Sequence, residues 1–260
     1  MIECTFETKC WENDYRVLLN NDHIKKMIEN CNYNFKTKQL IINNVKDESH
    51  VCELAKVLKT GGVIDEYFLA SEYAEEALKK FDVKDKFAGG YKYSVSEIVG
   101  ILKCETKYLL HFSSDSYIQK KFKHSNWINE AMDIMENNEN IVVANPAWCT
   151  PKFYEKVKIN WEFVRSESFD EIGNFYLGYG FSDQCYLINT DVFKQKIYNF
   201  KHPASDRYPV YGGELFEKKC DSFMRTNNKY RITSKTTGYV SRDINKIQYY
   251  LEKLHLKKDL

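Results

Sequence analysis

The stretch Tyr108–Tyr117, "YLLHFSSDSY", decides how the rest of the chain is read. Its first half is an unbroken apolar run, the pattern of a strand buried on both faces. The run then turns polar, with two serines and one aspartate: Ser113, Ser114 and Asp115. A strand that delivers a lone carboxylate to its tip has two readings. Either the aspartate caps the next turn, or it faces a crevice beyond the sheet and clamps a cation or a phosphate.

Upstream of this strand, β-like and helical patterns alternate. Strands are expected over 2–8, 39–45, 63–70 and 107–112. Helices are expected over 15–31, 49–60, 71–81 and 94–104, with Gly61-Gly62 as a stop and Ser71 as a cap. This rhythm predicts an α/β fold: a Rossmann-like, mostly parallel central sheet covered by helices. In such sheets, ligands bind beyond the carboxyl ends of the strands. Three polar strand tips would then meet: Thr5 to Thr8, Asn43-Asn44, and Ser113 to Asp115. Downstream, helices are expected over 125–138 (capped by Ser125), 212–228 and 244–256. Strands are expected over 140–146, 185–188 and 230–235. No repeat or linker interrupts the 260 residues, so one domain is expected.

Composition narrows the function. Hydrophobic content of 43% and aromatic content of 15% are globular values. A net charge of +1 with mixed signs argues against a nucleic-acid binder. No apolar run reaches transmembrane length. The start, "MIECTFETKC", lacks the basic and apolar regions of a secretory signal. Eight cysteines without a C-x-x-C pair read as reduced thiols rather than structural zinc ligands. A cytoplasmic protein is therefore expected. The basic tail "LEKLHLKKDL" reads as a solvated helix, with contact to an anionic membrane surface as the alternative.

A strand "YLLHF" followed by small-small-Asp resembles the D-x-D segment of GT-A fold glycosyltransferases. Other landmarks fall in order over residues 2 to 240. "CTFETKCWENDYRVLL" resembles the first strand and helix of the family-2-type enzymes, and "LIINNVKD" resembles the second-strand tip. "YGGELFEKKCDSFMR" resembles the glycine-led segment that carries the catalytic base. The resemblance implies transfer of a sugar from a nucleotide-diphospho-sugar, a UDP-sugar above all, to an acceptor hydroxyl with inversion. It divides the one domain into a nucleotide-binding half (about 1–118) and an acceptor-binding half (about 119–260). It implies that Asn43, with Thr5 and Glu7, meets the base, and that Ser113, Ser114 and Asp115 hold the diphosphate. A divalent cation (Mn²⁺ or Mg²⁺) would sit on Asp115. Ser113 stands where the family has the first aspartate, which removes one negative charge. Lysine or arginine would then support the phosphates, with Lys92, Arg231, Lys235 and Arg242 as candidates. Glu214 is the expected general base, with Glu217 and Asp183 as rivals, Asp183 also ordering the acceptor. Trp148, Tyr211 and Tyr239 are candidates for stacking on sugar rings. His111 reads as a satisfied core residue. The alternatives are a non-catalytic nucleotide-binding relative and a nucleotidyltransferase, though "TFETKCWEND" lacks a glycine-rich phosphate loop.

Overall fold

The computed structural model describes residues 2–122, 124–150, 158–159, 161–208 and 213–241. The strands are β1 (Cys4–Cys10), β2 (Thr37–Ile42), β3 (Glu66–Leu69), β4 (Tyr108–Phe112), β5 (Ser116–Ile118), β6 (Ile141–Thr150), β7 (Lys158–Ile159), β8 (Ser168–Ile172), β9 (Phe175–Gly178), β10 (Cys185–Asn189) and β11 (Tyr230–Ser241). The helices are α1 (Tyr15–Leu19), α2 (His23–Glu29), α3 (Glu48–Thr60), α4 (Ala70–Lys80), α5 (Tyr91–Lys103), α6 (Trp127–Asn137), α7 (Trp161–Ser166), α8 (Thr190–Phe193) and α9 (Phe216–Thr226). The expected helix 244–256 lies outside the described residues.

One sheet unites the chain, in the order β3-β2-β1-β4-β10-β6-β11-β9-β8, with β5 on β11 and β7 on β6. The block β3-β2-β1-β4 is parallel, and β6 and β11 are parallel to each other. Along this path only β10 and β9 oppose the rest. The sheet is therefore mostly, but not purely, parallel, as the sequence rhythm predicts.

Period-2 alternation divides the core between the two faces. Phe6, Leu40, Leu110, Phe112 and Leu187 pack with α1, α2, α3 and α6. Ile41, Leu109, Val143, Tyr186 and Ile188 pack with α4, α5, α8 and α9. All five residues of β4 are buried, which explains its unbroken apolar run.

Several boundaries differ from expectation. The helix expected over 15–31 is two short helices separated at Asn20–Asp22, where polar residues supply local side-chain bonds in place of helical ones. Ser71 and Ser125 are not caps: Leu69 and Asn126 hold those positions, and the Ser71 hydroxyl donates to Glu48. β1 runs to Cys10, two residues beyond the expected end. α9 begins at Phe216, four residues later than expected.

Candidate active site

The chain crosses from β3 back over the sheet to lay β4 on the other side of β1, so the topological switch lies between β1 and β4. A crevice of about 610 Å³ opens there. It is lined by the tip of β1 (Lys9, Trp11, Asp14), by Asn43-Asn44 after β2, by Lys92 of α5, by Ser113 to Asp115 after β4, and by Asp183.

Asp115 is fixed by three hydroxyls. Ser113 Oγ (3.0 Å) and Ser116 Oγ (3.3 Å) donate to its Oδ1, and Ser241 Oγ (2.7 Å) donates to its Oδ2. Ser114 donates instead to Asp14, whose other oxygen accepts the Trp11 backbone N–H at 2.8 Å. Burial pushes the Asp14 carboxyl up to about 6, with the Asp115 charge adding to the rise. Asp14 was not among the expected residues. It returns to the crevice a carboxylate that the sequence lacks at Ser113, from a different element. Asp14, Asp115 and the neighbouring serine hydroxyls form an all-oxygen set. That chemistry suits a hard divalent cation whose remaining ligands come from phosphate and water.

Asn43 and Asn44 both reach Lys92. Asn43 Nδ2 donates to the Lys92 carbonyl (3.0 Å) and to Ser96 Oγ (3.3 Å), which leaves Oδ1 for a ligand. Asn44 takes a left-handed φ of 50° and turns the chain.

Thr5 and Glu7 do not reach the crevice. Because β1 extends to Cys10, they lie mid-strand and fully buried. Thr5 bonds Thr106, and Glu7 is held by Gln39 and by His111 Nδ1 at 2.8 Å. Glu7 and Lys9 share one face of β1 by period 2, and both meet α5, where Lys9 pairs with Glu97. Tyr186 OH also donates to Glu97, at 2.6 Å. The ligand atoms of Glu7, Glu97 and His111 lie within 4.8 Å of one another and could hold a metal ion. Lys9 already supplies a counter-charge there, and burial pushes Glu7 up and His111 down. Lys9 thus joins this buried network to the crevice, and its alternation with Thr5 and Glu7 was the available sequence signal.

A second cavity of about 420 Å³ meets the crevice at Gln184. Among its lining residues are Trp148, Tyr239, Glu217 and Arg231. Glu214 lines neither cavity. It precedes α9, its N–H points toward the Ala88 carbonyl, and its carboxylate pairs with Lys218 at 3.2 Å. Glu217, in the first turn of α9, lies beside Asp183 at the junction of the two spaces. Burial and the Asp183 charge push Glu217 up to about 8. Burial likewise raises Asp183, against the opposing pull of Lys9. Lys235 is engaged elsewhere, with Glu171 at 2.6 Å. Tyr211 and Arg242 lie outside the described residues.

No family model matches the chain, and no curated protein is recognisably similar in sequence. Solved structures do match. A crystal structure of GalNAc-T7 with UDP, GalNAc and Mn²⁺ aligns over 93% of this chain at 10% identity and a TM-score of 0.54. S. aureus TarS residues 1–349 align over 92% at 11% identity (TM-score 0.47, 60% of that chain), and mouse xyloside xylosyltransferase 1 over 88% at 12% (TM-score 0.46, 84% of that chain). The chain spans 44% of the GalNAc-T7 chain. The fold is accordingly of the GT-A type.

Proposed function

We propose that the protein is a glycosyltransferase that moves a sugar from a nucleotide-diphospho-sugar, most simply a UDP-sugar, to an acceptor hydroxyl with inversion. One observation carries the reading. The polar strand tips gather in one crevice at the switch point, and a paired carboxylate, Asp183–Glu217, separates that crevice from a second cavity. The ordered motifs of the family-2-type enzymes and the UDP and GalNAc bound by GalNAc-T7 support it.

In this reading Asn43 meets the base. Lys9 and Lys92, with Ser113 and Ser114, flank the diphosphate, and Asp115 with Asp14 would hold a divalent cation. Such an ion supplies charge neutralisation of the departing diphosphate. Glu217, beside Asp183, takes the proton of the acceptor hydroxyl. A carboxylate whose pKa is pushed up to about 8 is, once ionised, a stronger base than an ordinary one, and so is suited to that task. Catalysis is then largely positioning and electrostatics. The first half of the chain serves the donor and the second half the acceptor. The eight free thiols agree with a cytoplasmic setting.

The test is a thermal-shift titration with UDP, GDP, CDP and ADP, each with and without Mn²⁺. A ligand that binds only the folded state raises Tm by mass action. A UDP-selective shift enhanced by Mn²⁺ is expected. A shift without metal dependence would assign the diphosphate to Lys9 and Lys92. No shift with any nucleotide would remove the reading. Nucleotide binding without transfer to any acceptor would leave a non-catalytic relative.

A further inference from the structure

The second cavity contains a cation that the protein leaves unpaired. Arg231, on β11, lines it, and among the described residues its guanidinium has no hydrogen bond and no ion pair. Its Nε is inaccessible to solvent and has no partner. An N–H donor removed from water without a partner is costly, so this half-buried guanidinium needs a reason to be there.

The neighbouring acids bond other groups through one oxygen each, Glu167 through Oε1 and Asp221 through Oδ2, while Asp221 Oδ1 has no hydrogen-bond partner. Glu167 pairs with Arg207. Asp221 takes Arg225 Nε at 2.9 Å and Ser205 Oγ at 2.6 Å, with Arg207 Nη2 a further 3.9 Å away. Two carboxylates thus meet three guanidinium groups, and Arg231 holds the surplus charge. Glu217, with its raised pKa, adds little compensation near neutrality.

The backbone clears the space where the surplus is presented. Gly180 has a φ of +100°. A Cβ there would lie 3.0 Å from Arg207 Nη2, 3.1 Å from Arg231 Nη1 and 3.3 Å from Glu167 Oε2. Two guanidinium edges and one Glu167 carboxylate oxygen therefore converge on a bare α-carbon, next in sequence to the lining residue Phe181. Planar forks of this kind match the paired oxygens of a carboxylate or a phosphate.

We propose that this cavity receives the negatively charged group of a sugar, a carboxylate or a phosphate, held by Arg231 with Arg207 beside it. That the ligand is a sugar rests on the transferase reading; that it is an anion rests on the unpaired arginine. The group can arrive on the acceptor or on the sugar of the donor, as a uronate. Either way it would place the reacting end of the ligand near Glu217, which lines the same cavity.

The experiment compares charged and neutral twins by calorimetric or NMR titration. Methyl β-glucuronide is set against methyl β-glucoside, and glucose 6-phosphate against glucose, for the acceptor route. UDP-glucuronate is set against UDP-glucose for the donor route. In one route the charged probe is expected to bind at least tenfold more tightly, with the preference falling as KCl rises and collapsing toward unity in Arg231→Gln. Equal binding of charged and neutral twins in both routes overturns the proposal, and so does a preference that Arg231→Gln retains. Should Arg231→Gln fail to fold, the wild-type ratios decide alone, and Arg231→Lys should keep a reduced preference. UDP binding without any charge preference refutes this proposal and spares the transferase reading. No UDP binding removes the transferase reading, and the simple glycoside pairs then decide the cavity.

Discussion

Glu214 and Glu217 are three residues apart, and their surroundings give them different chemistry. Glu214 lies before α9 and is half-exposed beside Lys218, an ordinary surface pair. Glu217 is in the first helical turn, drawn out of water against a second carboxylate. Glu217→Gln should therefore lower transfer by about 10²- to 10⁴-fold while sparing UDP affinity. Glu214→Gln should change turnover little, and a comparable loss there would return the base to Glu214. The raised pKa also has a sign for stability. Folded Glu217 keeps a proton that the unfolded chain releases near pH 4.5, so stability should fall as pH rises from about 4.5 to about 8. Glu217→Gln should flatten that decline in Tm-versus-pH profiles; an unchanged slope would place the titration elsewhere. Asp115 makes a separate prediction, because in the proposed donor pose its carboxylate faces the phosphates and not the base. Asp115→Ala should weaken UDP binding at least tenfold and uridine binding much less, and equal losses would refute its role.

At the scale of elements, the contact between α5 and β1 governs both the crevice and what could be read in advance. Gly100 is interior to α5, where helix propensity alone favours alanine by about 1 kcal/mol. A Cβ there would lie 2.0 Å from Glu7 Oε2. Glu7 is fully buried and held by His111 and Gln39, so any withdrawal breaks those bonds. Gly100→Ala should therefore destabilise by about 1–3 kcal/mol, as an overpacked core does. A raised urea midpoint would show that Glu7 moves freely. The pair between half-buried Lys9 and buried Glu97 also explains why the true end of β1 was not legible. A lysine normally marks the end of a buried strand, and only its distant partner on α5 lets the strand continue through it. β4 and β10 were legible, because their apolar runs are buried throughout or nearly so. The β8–β9 hairpin was not, because β8 presents three exposed residues in succession and has no alternation to detect. The site divided in the same way. Ser113 to Asp115 and Asn43 end strands that can be recognised locally. Asp14 and Glu217 acquire their environments only from long-range packing.

For the molecule as a whole, the question is whether the first and second halves of the chain unfold as one body. The single sheet argues that they do. β10, from the second half, lies directly on β4 of the first, and both layers of core pack on that shared seam. The cysteines provide a probe. Seven of the eight are buried, distributed over both faces of the sheet, and only Cys52 is partly exposed. Thiol labelling in native buffer should find one reactive group at most, made slower by the raised pKa that burial and nearby glutamates give Cys52. In rising urea the seven buried thiols should become reactive together, with the midpoint seen by tryptophan fluorescence, as two-state unfolding requires. UDP should move that common midpoint upward for all seven, because a ligand bound at the β1–β4 seam stabilises whatever unfolds with it. A split into two midpoints, with Cys4, Cys10, Cys31 and Cys104 separating from Cys149, Cys185 and Cys220, would mean that the halves are independent. UDP would then protect only the first group, and the junction at Asp183 and Glu217 would be a boundary between moving parts rather than a fixed wall between two cavities.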